Sequence, residues 1–379
     1  VGCVAVARDG RRRDSAPHTA PLPEIAARRD SVRRVNDRLL PDAAALGLTD
    51  DQRAAFEALA LDRGLVGRVV SEAKGEYRVW ADRAEFTAEC TGKLFGRAAG
   101  RGELPAVGDW VALTYVEAQR AMVVAVLPRT TAFTRRAAGH GAVEQVVAAN
   151  IDVVFLAMGL DADFNLRRIE RYLAVAWESG ASPVVLLTKC DLVDDPEAKA
   201  AEVRAVAGRA PVVVTSALDA IGLDAVRDVL GPGKTVAILG SSGAGKSTLA
   251  NALLARDALR VGEVRAHDQR GRHTTTHREL FVLPSGALLI DTPGMRELQL
   301  WDVSHGLDAA FEDVAAVATR CRFRDCQHGA EPGCAVRDAL ADGSLDRERY
   351  ANWSKLRGEA QRAREAIRER GRGGGRRVR

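Results

Sequence analysis

Lys246 and Ser247 close the stretch Gly240-Ser241-Ser242-Gly243-Ala244-Gly245, which follows the apolar run TVAILG and precedes a helix-forming segment that starts at Thr248. A strand, a glycine-rich turn and a helix in that order form the context a phosphate-cradling P-loop needs. The glycines let successive backbone N–H groups converge on phosphate oxygens, and the helix N-terminus adds its positive end. Lys246 would reach the β- and γ-phosphates, and the Ser247 hydroxyl would ligate Mg²⁺. Downstream, LLIDTPGM ends a buried run on Asp291, with Gly294 three residues later. Asp291 suits Mg²⁺ held through water, and the Gly294 N–H suits a γ-phosphate. Between the two lies RGRHTTTH, Arg270 to His277, a polar stretch suited to a switch loop with Thr275 on the Mg²⁺.

Thr188-Lys189-Cys190-Asp191 ends another buried run, LLT. Asp191 could accept hydrogen bonds from N1–H and N2–H₂ of guanine, which adenine cannot offer, while the stem of Lys189 packs over the base. Ser216 and Ala217, in Thr215-Ser216-Ala217, end a further strand pattern and suit a second base-contacting loop. Taken alone, a T-K-x-D tetrapeptide is an ordinary strand end. Here the base-reading motif precedes the phosphate-binding one, the reverse of the usual chain order. A parallel α/β sheet assembles its site from loops at the C-terminal ends of strands, so spatial order matters and chain order does not. Domain termini lie close together, so a permuted chain can rebuild the same site. The expectation is a circularly permuted nucleotide-binding domain.

Cys321-x₄-Cys326-x-His328-x₅-Cys334 packs three thiols and an imidazole into fourteen residues. Cys₃His is a closed tetrahedral set, which points to structural Zn²⁺ without an open position for catalysis. The plain alternative is reduced cysteines beside a surface histidine. Cys3, Cys90 and Cys190 have no such neighbours and read as ordinary thiols.

The elements that must position these groups divide the 379 residues into several units. Residues 1–60 read as a partly disordered arm ending in a short helix, DQRAAFEALAL. Residues 61–135 carry short β-rich runs, GRVVSEAKGEYRVWAD, AEFTAEC, GDWVALTYV and AMVVAVLP, which fit a five-stranded OB-type barrel. In residues 136–300 the strands DVVFLAM, PVVLLT, PVVVTSA, TVAILG and ALLIDT alternate with amphipathic segments such as NLRRIERYLAVAWESG and GLDAVRDVL. That alternation predicts a multidomain α/β protein whose permuted domain has a parallel sheet with helices on both faces. Residues 301–360 read as a helical zinc-binding domain and 361–379 as a basic Gly/Arg tail. From Lys355 onward there are ten Lys/Arg against three Glu, a local +7 in a chain of formal charge +4, which leaves −3 for the rest. Such a tail could neutralise phosphates; it reads equally well as a solvated helix end. No apolar run approaches membrane-spanning length, and VGCVAV is too short for a signal-peptide core. The expectation is therefore a cytoplasmic chain without membrane contact.

The order base-reading loop, Ser-Ala loop, P-loop and two switch regions, set between a β-barrel and a Cys/His cluster, resembles the bacterial small-ribosomal-subunit-dependent GTPase A (RsgA) family of circularly permuted GTPases. LPAVGDWV, EQVVAANID, DADFNLRRIERYLA, GRHTTT and DTPGMRE carry the resemblance over roughly residues 65 to 360. It implies GTP/GDP with Mg²⁺, zinc on the same four Cys/His residues, and the small ribosomal subunit with its rRNA as partner. It also implies hydrolysis stimulated by that subunit and coupled to the subunit's late maturation and to release of the GTPase. Met295 follows Gly294 where Ras-type enzymes place a water-orienting Gln, so slow intrinsic turnover is expected, with His273 the family-suggested catalytic residue beside Thr275 and Lys246. Thr188 departs from the Asn that many of these GTPases carry. Two other readings share parts of the pattern: a P-loop ATPase or kinase of small molecules, and a nucleotide-gated RNA-binding protein without significant turnover. The oligomeric state expected by default is a monomer.

Overall fold

The computed structural model describes residues 40–117, 119–136, 144–254, 279–291 and 304–373. Residues 1–39 and most of the stretch between the P-loop helix and residue 304 lie outside them. Among the described residues, no helix is long and apolar enough to cross a membrane.

Helix α1 (Asp50–Glu57) starts at a capping box, in which Thr49 accepts from Gln52 N–H and the Gln52 side chain reaches back to Thr49 N–H. Five strands follow: β1 (Gly64–Ala73), β2 (Glu76–Ala81), β3 (Ala84–Cys90), β4 (Trp110–Glu117) and β5 (Arg120–Val126). A short helix α2 (Gly92–Arg97) lies between β3 and β4. Their order, β1-β2-β3-β5-β4, closes through a β1–β4 pairing into the expected OB-type barrel. Alternation along these strands fills the barrel with Val69, Tyr77, Val79, Phe86, Val111, Leu113 and Val123. Gly67 is required on β1, because a Cβ there would lie 2.6 Å from Val79 Cγ1.

After the barrel, β6 (Ala132–Arg136) and β7 (Glu144–Ala149) form a separate antiparallel pair. Residue 136, the expected start of the permuted domain, is the last of β6. The main sheet then runs β10-β9-β8-β11-β13-β12. Its strands are β8 (Val153–Gly159), β9 (Ser182–Thr188), β10 (Val212–Val214), β11 (Thr235–Gly240), β12 (Glu279–Val282) and β13 (Leu288–Asp291). All neighbours are parallel except β12, which is antiparallel to β13. Strands β8 and β9 are buried nearly throughout, as both-faced covering demands. β12 also touches β1 at Ser71 opposite Glu279, and Arg78 salt-bridges Glu279 at 2.8 Å, so barrel and main sheet are hydrogen-bonded together.

Helix α3 (Leu166–Ser179) is capped by Asn165 and ends on Gly180 at φ +85°, with Ile169, Leu173, Ala174 and Ala176 buried. Helix α4 (Pro196–Ala207), between β9 and β10, begins with an Asp195 cap and proline at its first position. Helices α5 (Leu223–Asp228) and α6 (Lys246–Leu254) also lie among the described residues of this region, their Leu223, Val226, Leu249 and Leu253 packing on Phe155, Val184 and Val236.

The C-terminal helices are α7 (Ser304–Ala310), α8 (Glu312–Ala318), α9 (Ala335–Asp342) and α10 (Arg347–Gly373). They dock on α3. Arg349 of α10 is buried, salt-bridging Glu170 of α3 at 2.8 Å and Asp313 of α8 at 2.5 Å, with its guanidinium 4.8 Å from the Phe311 ring centroid. Gly306 of α7 lies so close to α3 that a Cβ would meet Ala174 O at 2.0 Å.

Where barrel and main sheet meet, Arg68 is buried and donates to the carbonyls of Leu46, Gly108 and Asn150 and to Thr235 Oγ1, at 2.5–3.1 Å. Its guanidinium stacks 5.3 Å from the Trp110 ring. Burial lowers its pKa to about 10, so the group stays charged at neutral pH, and the four acceptors compensate its desolvation.

Candidate nucleotide site and metal centre

Strands β8, β9, β10, β11 and β13 are parallel, so their C-terminal ends share one edge of the sheet. The chain winds outward from β8 through β9 to β10, then returns to place β11 on the other side of β8. That reversal is a topological switch point, where α/β sheets open a crevice for ligands. The loop after β11 is Gly240 to Gly245, and it runs straight into α6 at Lys246. Gly240 passes so near β8 that a Cβ would sit 2.4 Å from Ala157 O, and Gly243 and Gly245 adopt φ of +86° and +79°. These three glycines permit the tight turn that brings backbone N–H groups and the N-terminus of α6 to one place. Lys246 Nζ donates to the carbonyls of Gly240 and Ser241 across the loop. Ser242 and Ser247 are exposed, Thr248 is half-buried and Ala244 is buried under the loop.

The base-reading motif comes to the same edge. Thr188 ends β9, Lys189 follows in the left-handed region at φ +60°, and Cys190–Leu192 form a single 3₁₀ turn that leaves Asp191 exposed. Buried Thr188 donates its hydroxyl to Ala244 O of the glycine-rich loop at 2.8 Å. A hydroxyl thus ties the two loops together at this position. The end of β10 is bonded to this motif, Cys190 N–H donating to Thr215 O at 3.2 Å. Ser216 then pairs with Ile221 in a closed turn, its Oγ accepting from Asp219 N–H, and Ala217 packs against the sheet's core. Gly222 makes that turn possible, since a Cβ there would meet Val214 O at 2.1 Å.

Asp291 ends β13, the strand paired with β11 through Ala237 opposite Ile290. It stands one strand from the glycine-rich loop, at the same edge. His273, Thr275 and Gly294, with Met295, lie outside the described residues.

Two residues that the motif reading did not single out are also present. The short loop from β8 to α3 carries Asp161 and Asp163; Asp161 Oδ2 is 2.5 Å from Lys189 Nζ, and Asp163 accepts from Ser241 Oγ and Arg168. The Lys189 hydrogen bond holds the Asp161 carboxyl below the usual carboxylate range. Burial opposes ionisation of Asp163, but the bonds from Arg168 and Ser241 outweigh it and keep that carboxyl low as well. Their only signal in the sequence was membership of the stretch DADFNLRRIERYLA.

Away from the sheet edge, Cys321, Cys326, His328 and Cys334 converge, their ligand atoms all within 4.8 Å of one another. His328 Nδ1 is 3.6 Å from the sulfurs of Cys321 and Cys334, which are 4.0 Å apart. Cys334 stands directly before α9, and Arg322 N–H bonds Gly333 O to close the loop. Burial, aided by Arg357, lowers the His328 pKa, favouring the neutral imidazole that a metal needs. This donor set and spacing could hold one cation.

Comparison with known proteins agrees with this geometry. Residues 126–301 match the family model described as RsgA GTPase. A protein of Opitutus terrae named small ribosomal subunit biogenesis GTPase RsgA is 52% identical over 326 residues, covering 83% of this chain and 89% of its own. The crystal structure of YjeQ from Thermotoga maritima is similar with a TM-score of 0.60 and 26% identity, over 79% of this chain and 99% of that one. The structure of YloQ, described as a circularly permuted GTPase, shares the fold with a TM-score of 0.55 and 22% identity, over 79% of this chain and 95% of its own. A permuted nucleotide fold and identity at about half of all positions, sustained over more than four fifths of both sequences, lead to one assignment: the chain belongs to the RsgA GTPase family.

Proposed function

We propose that this GTPase binds the small ribosomal subunit and its rRNA in the cytoplasm, as a monomer, and couples GTP hydrolysis to late maturation of the subunit and to its own release. The observation that carries the reading is the meeting of Gly240–Ser247, Thr188–Asp191 and Ser216–Ala217 at one sheet edge, in a chain about half identical to a protein named for small-subunit biogenesis. In this reading the P-loop N–H groups and Lys246 hold the phosphates, Asp191 selects guanine, and Lys189, Ser216 and Ala217 frame the base. Mg²⁺, which screens phosphate charge when bound, falls to Ser247, Thr275 and Asp291. His273 positions the attacking water, and Met295, unable to polarise it, leaves that step to the subunit.

The same proposal assigns Zn²⁺ to Cys321, Cys326, His328 and Cys334. A tetrahedral zinc with Zn–S of about 2.3 Å and Zn–N of about 2.0 Å separates its ligand atoms by ~3.5–3.8 Å; Cys321, His328 and Cys334 stand 3.6 and 4.0 Å apart here, and all four ligand atoms lie within 4.8 Å. With no open position, that ion would be structural. The functional units are taken as residues 1–60, 61–135, 136–300, 301–360 and 361–379, with barrel, zinc module and basic tail as the surfaces offered to RNA.

The test is GTP turnover by the purified protein with and without salt-washed small ribosomal subunits. Strong stimulation by subunits is the expected result; slow turnover that subunits do not change would end the ribosome-coupled reading. A His273→Ala variant with full stimulated turnover would remove His273 from the chemistry.

A further inference from the structure

Two carboxylates beside a polyphosphate cradle are an electrostatic puzzle, because uncompensated they would repel the ligand. In this structure each has its own cation: Asp161 faces Lys189 at 2.5 Å, and Asp163 pairs with Arg168 on the first turn of α3. The remaining lone pairs are directed to specific partners. Asp163 Oδ2 accepts from Ser241 Oγ, the second residue of the P-loop, and Asp161 Oδ1 accepts from Asp163 N–H at 3.0 Å. The latter bond is a local side-chain turn of the kind Asp favours, and it sends the two carboxylates to different loops. Leu160 N–H donates to Thr188 O at 2.9 Å, and the lack of a side chain at Gly159 leaves room for the Asp161 carboxylate, 2.8 Å from where a Cβ would stand. One loop of six residues, 160–165, therefore joins the base-reading segment to the P-loop.

We propose that Asp161 and Asp163 are positioning residues of the GTPase site, a two-carboxylate clamp in which Asp161 aims the Lys189 side chain and Asp163 anchors the P-loop at Ser241. The clamp holds both halves of the site in place before the nucleotide arrives, so binding costs less ordering of loops. Neither carboxylate touches the reacting phosphate; each acts through the residue it holds. The inference rests on the nucleotide reading of this edge.

The test uses the full chain, a fluorescent GDP analogue and two double-mutant cycles: Asp163→Ala with Ser241→Ala, and Asp161→Ala with Lys189→Met. A hydrogen bond to a charged group predicts about tenfold weaker binding for each single variant. The double variants should bind no more weakly than the worse single one, since each pair acts as a unit. In turnover, KM for GTP should rise about tenfold while kcat moves less than about twofold, the signature of lost binding without lost chemistry. Ser241→Thr, which keeps the hydroxyl, should restore affinity, and Asp163→Asn should fall between wild type and alanine. Effects that multiply in the double variants, or alanine variants that bind like wild type, overturn the clamp. So does a fall in thermal midpoint and kcat with KM unchanged, which assigns the carboxylates to folding alone. If the wild-type chain takes up no GDP analogue, the nucleotide reading falls and the clamp with it; uptake by wild type separates the two failures.

Discussion

At the scale of single residues, Thr188 shows how a departure from a motif can carry a structural contact of its own. Its hydroxyl reaches Ala244 O at 2.8 Å inside the protein, so it links the end of β9 to the glycine-rich loop. Thr188→Val keeps the shape and removes the donor, which leaves a buried carbonyl unpaired at a cost of roughly 1–2 kcal/mol. Because the bond lies between the two loops proposed to hold base and phosphates, GDP affinity measured by titration calorimetry should fall about fivefold; equal affinity would mean the tether is idle. Asp161 makes a second residue-scale prediction. Its folded-state pKa is depressed, first by Lys189, so its contribution to stability is full above the usual carboxylate range and is lost as pH falls through the lowered value. The pair is about a third exposed, so solvent screening keeps the effect small. Below pH of about 4, thermal midpoints of Asp161→Asn should fall less steeply with acid than those of wild type.

Among the elements, α3 has more attachments than its sequence announces. The amphipathic pattern, the Asn165 cap and the Gly180 stop are all legible in NLRRIERYLAVAWESG. The partners of its polar residues are not: Glu170 meets Arg349, and Arg171 meets Glu359 at 2.8 Å, across more than 170 residues of chain. Arg349→Met would strip the buried Glu170 of a main partner while Arg167 and Asn352 remain, so a loss of about 3 kcal/mol is expected. A thermal unfolding midpoint within a degree or two of wild type would show the contact to be neutral. Helix α4 and the β6–β7 pair escaped the segment reading. PEAKAAEVRAVA is Ala-rich with a weak apolar stripe, so little in it distinguishes a packed helix from a polar connection until packing on β10 and α3 buries Val203 and Val206.

On the scale of the whole molecule, the C-terminal helices are fixed to α3, and α3 starts five residues beyond Asp161. Any movement of the cysteine-bearing module therefore involves the helix that Asp163 and Arg168 tie to the P-loop. Cys321, Cys326, His328 and Cys334 gather the loop between α8 and α9, their ligand atoms all within 4.8 Å of one another, and the proposed zinc would fasten it. Stripping the metal with a chelator should release one zinc ion per chain and lower the thermal midpoint by at least several degrees, since binding energy at such a site is folding energy. An unchanged midpoint, or no zinc released, would remove the structural role.

The sequence by itself determined the chemistry on offer. Glycine spacing before Lys246, the β-rich barrel runs and the α/β alternation are local patterns fixed by backbone sterics and periodicity, and the Cys₃His set is legible from its donor chemistry. The inverted motif order was legible too, because it is a property of the chain. Only tertiary structure decided which groups meet. The clamp from Asp161 and Asp163, the Thr188 tether to Ala244, the four acceptors around Arg68 and the Glu170–Arg349 pair each join residues distant in sequence. Charged and hydroxyl side chains on exposed-looking segments carry no periodic signal; their partners are chosen when parallel strand ends bring separate loops to one edge of the sheet.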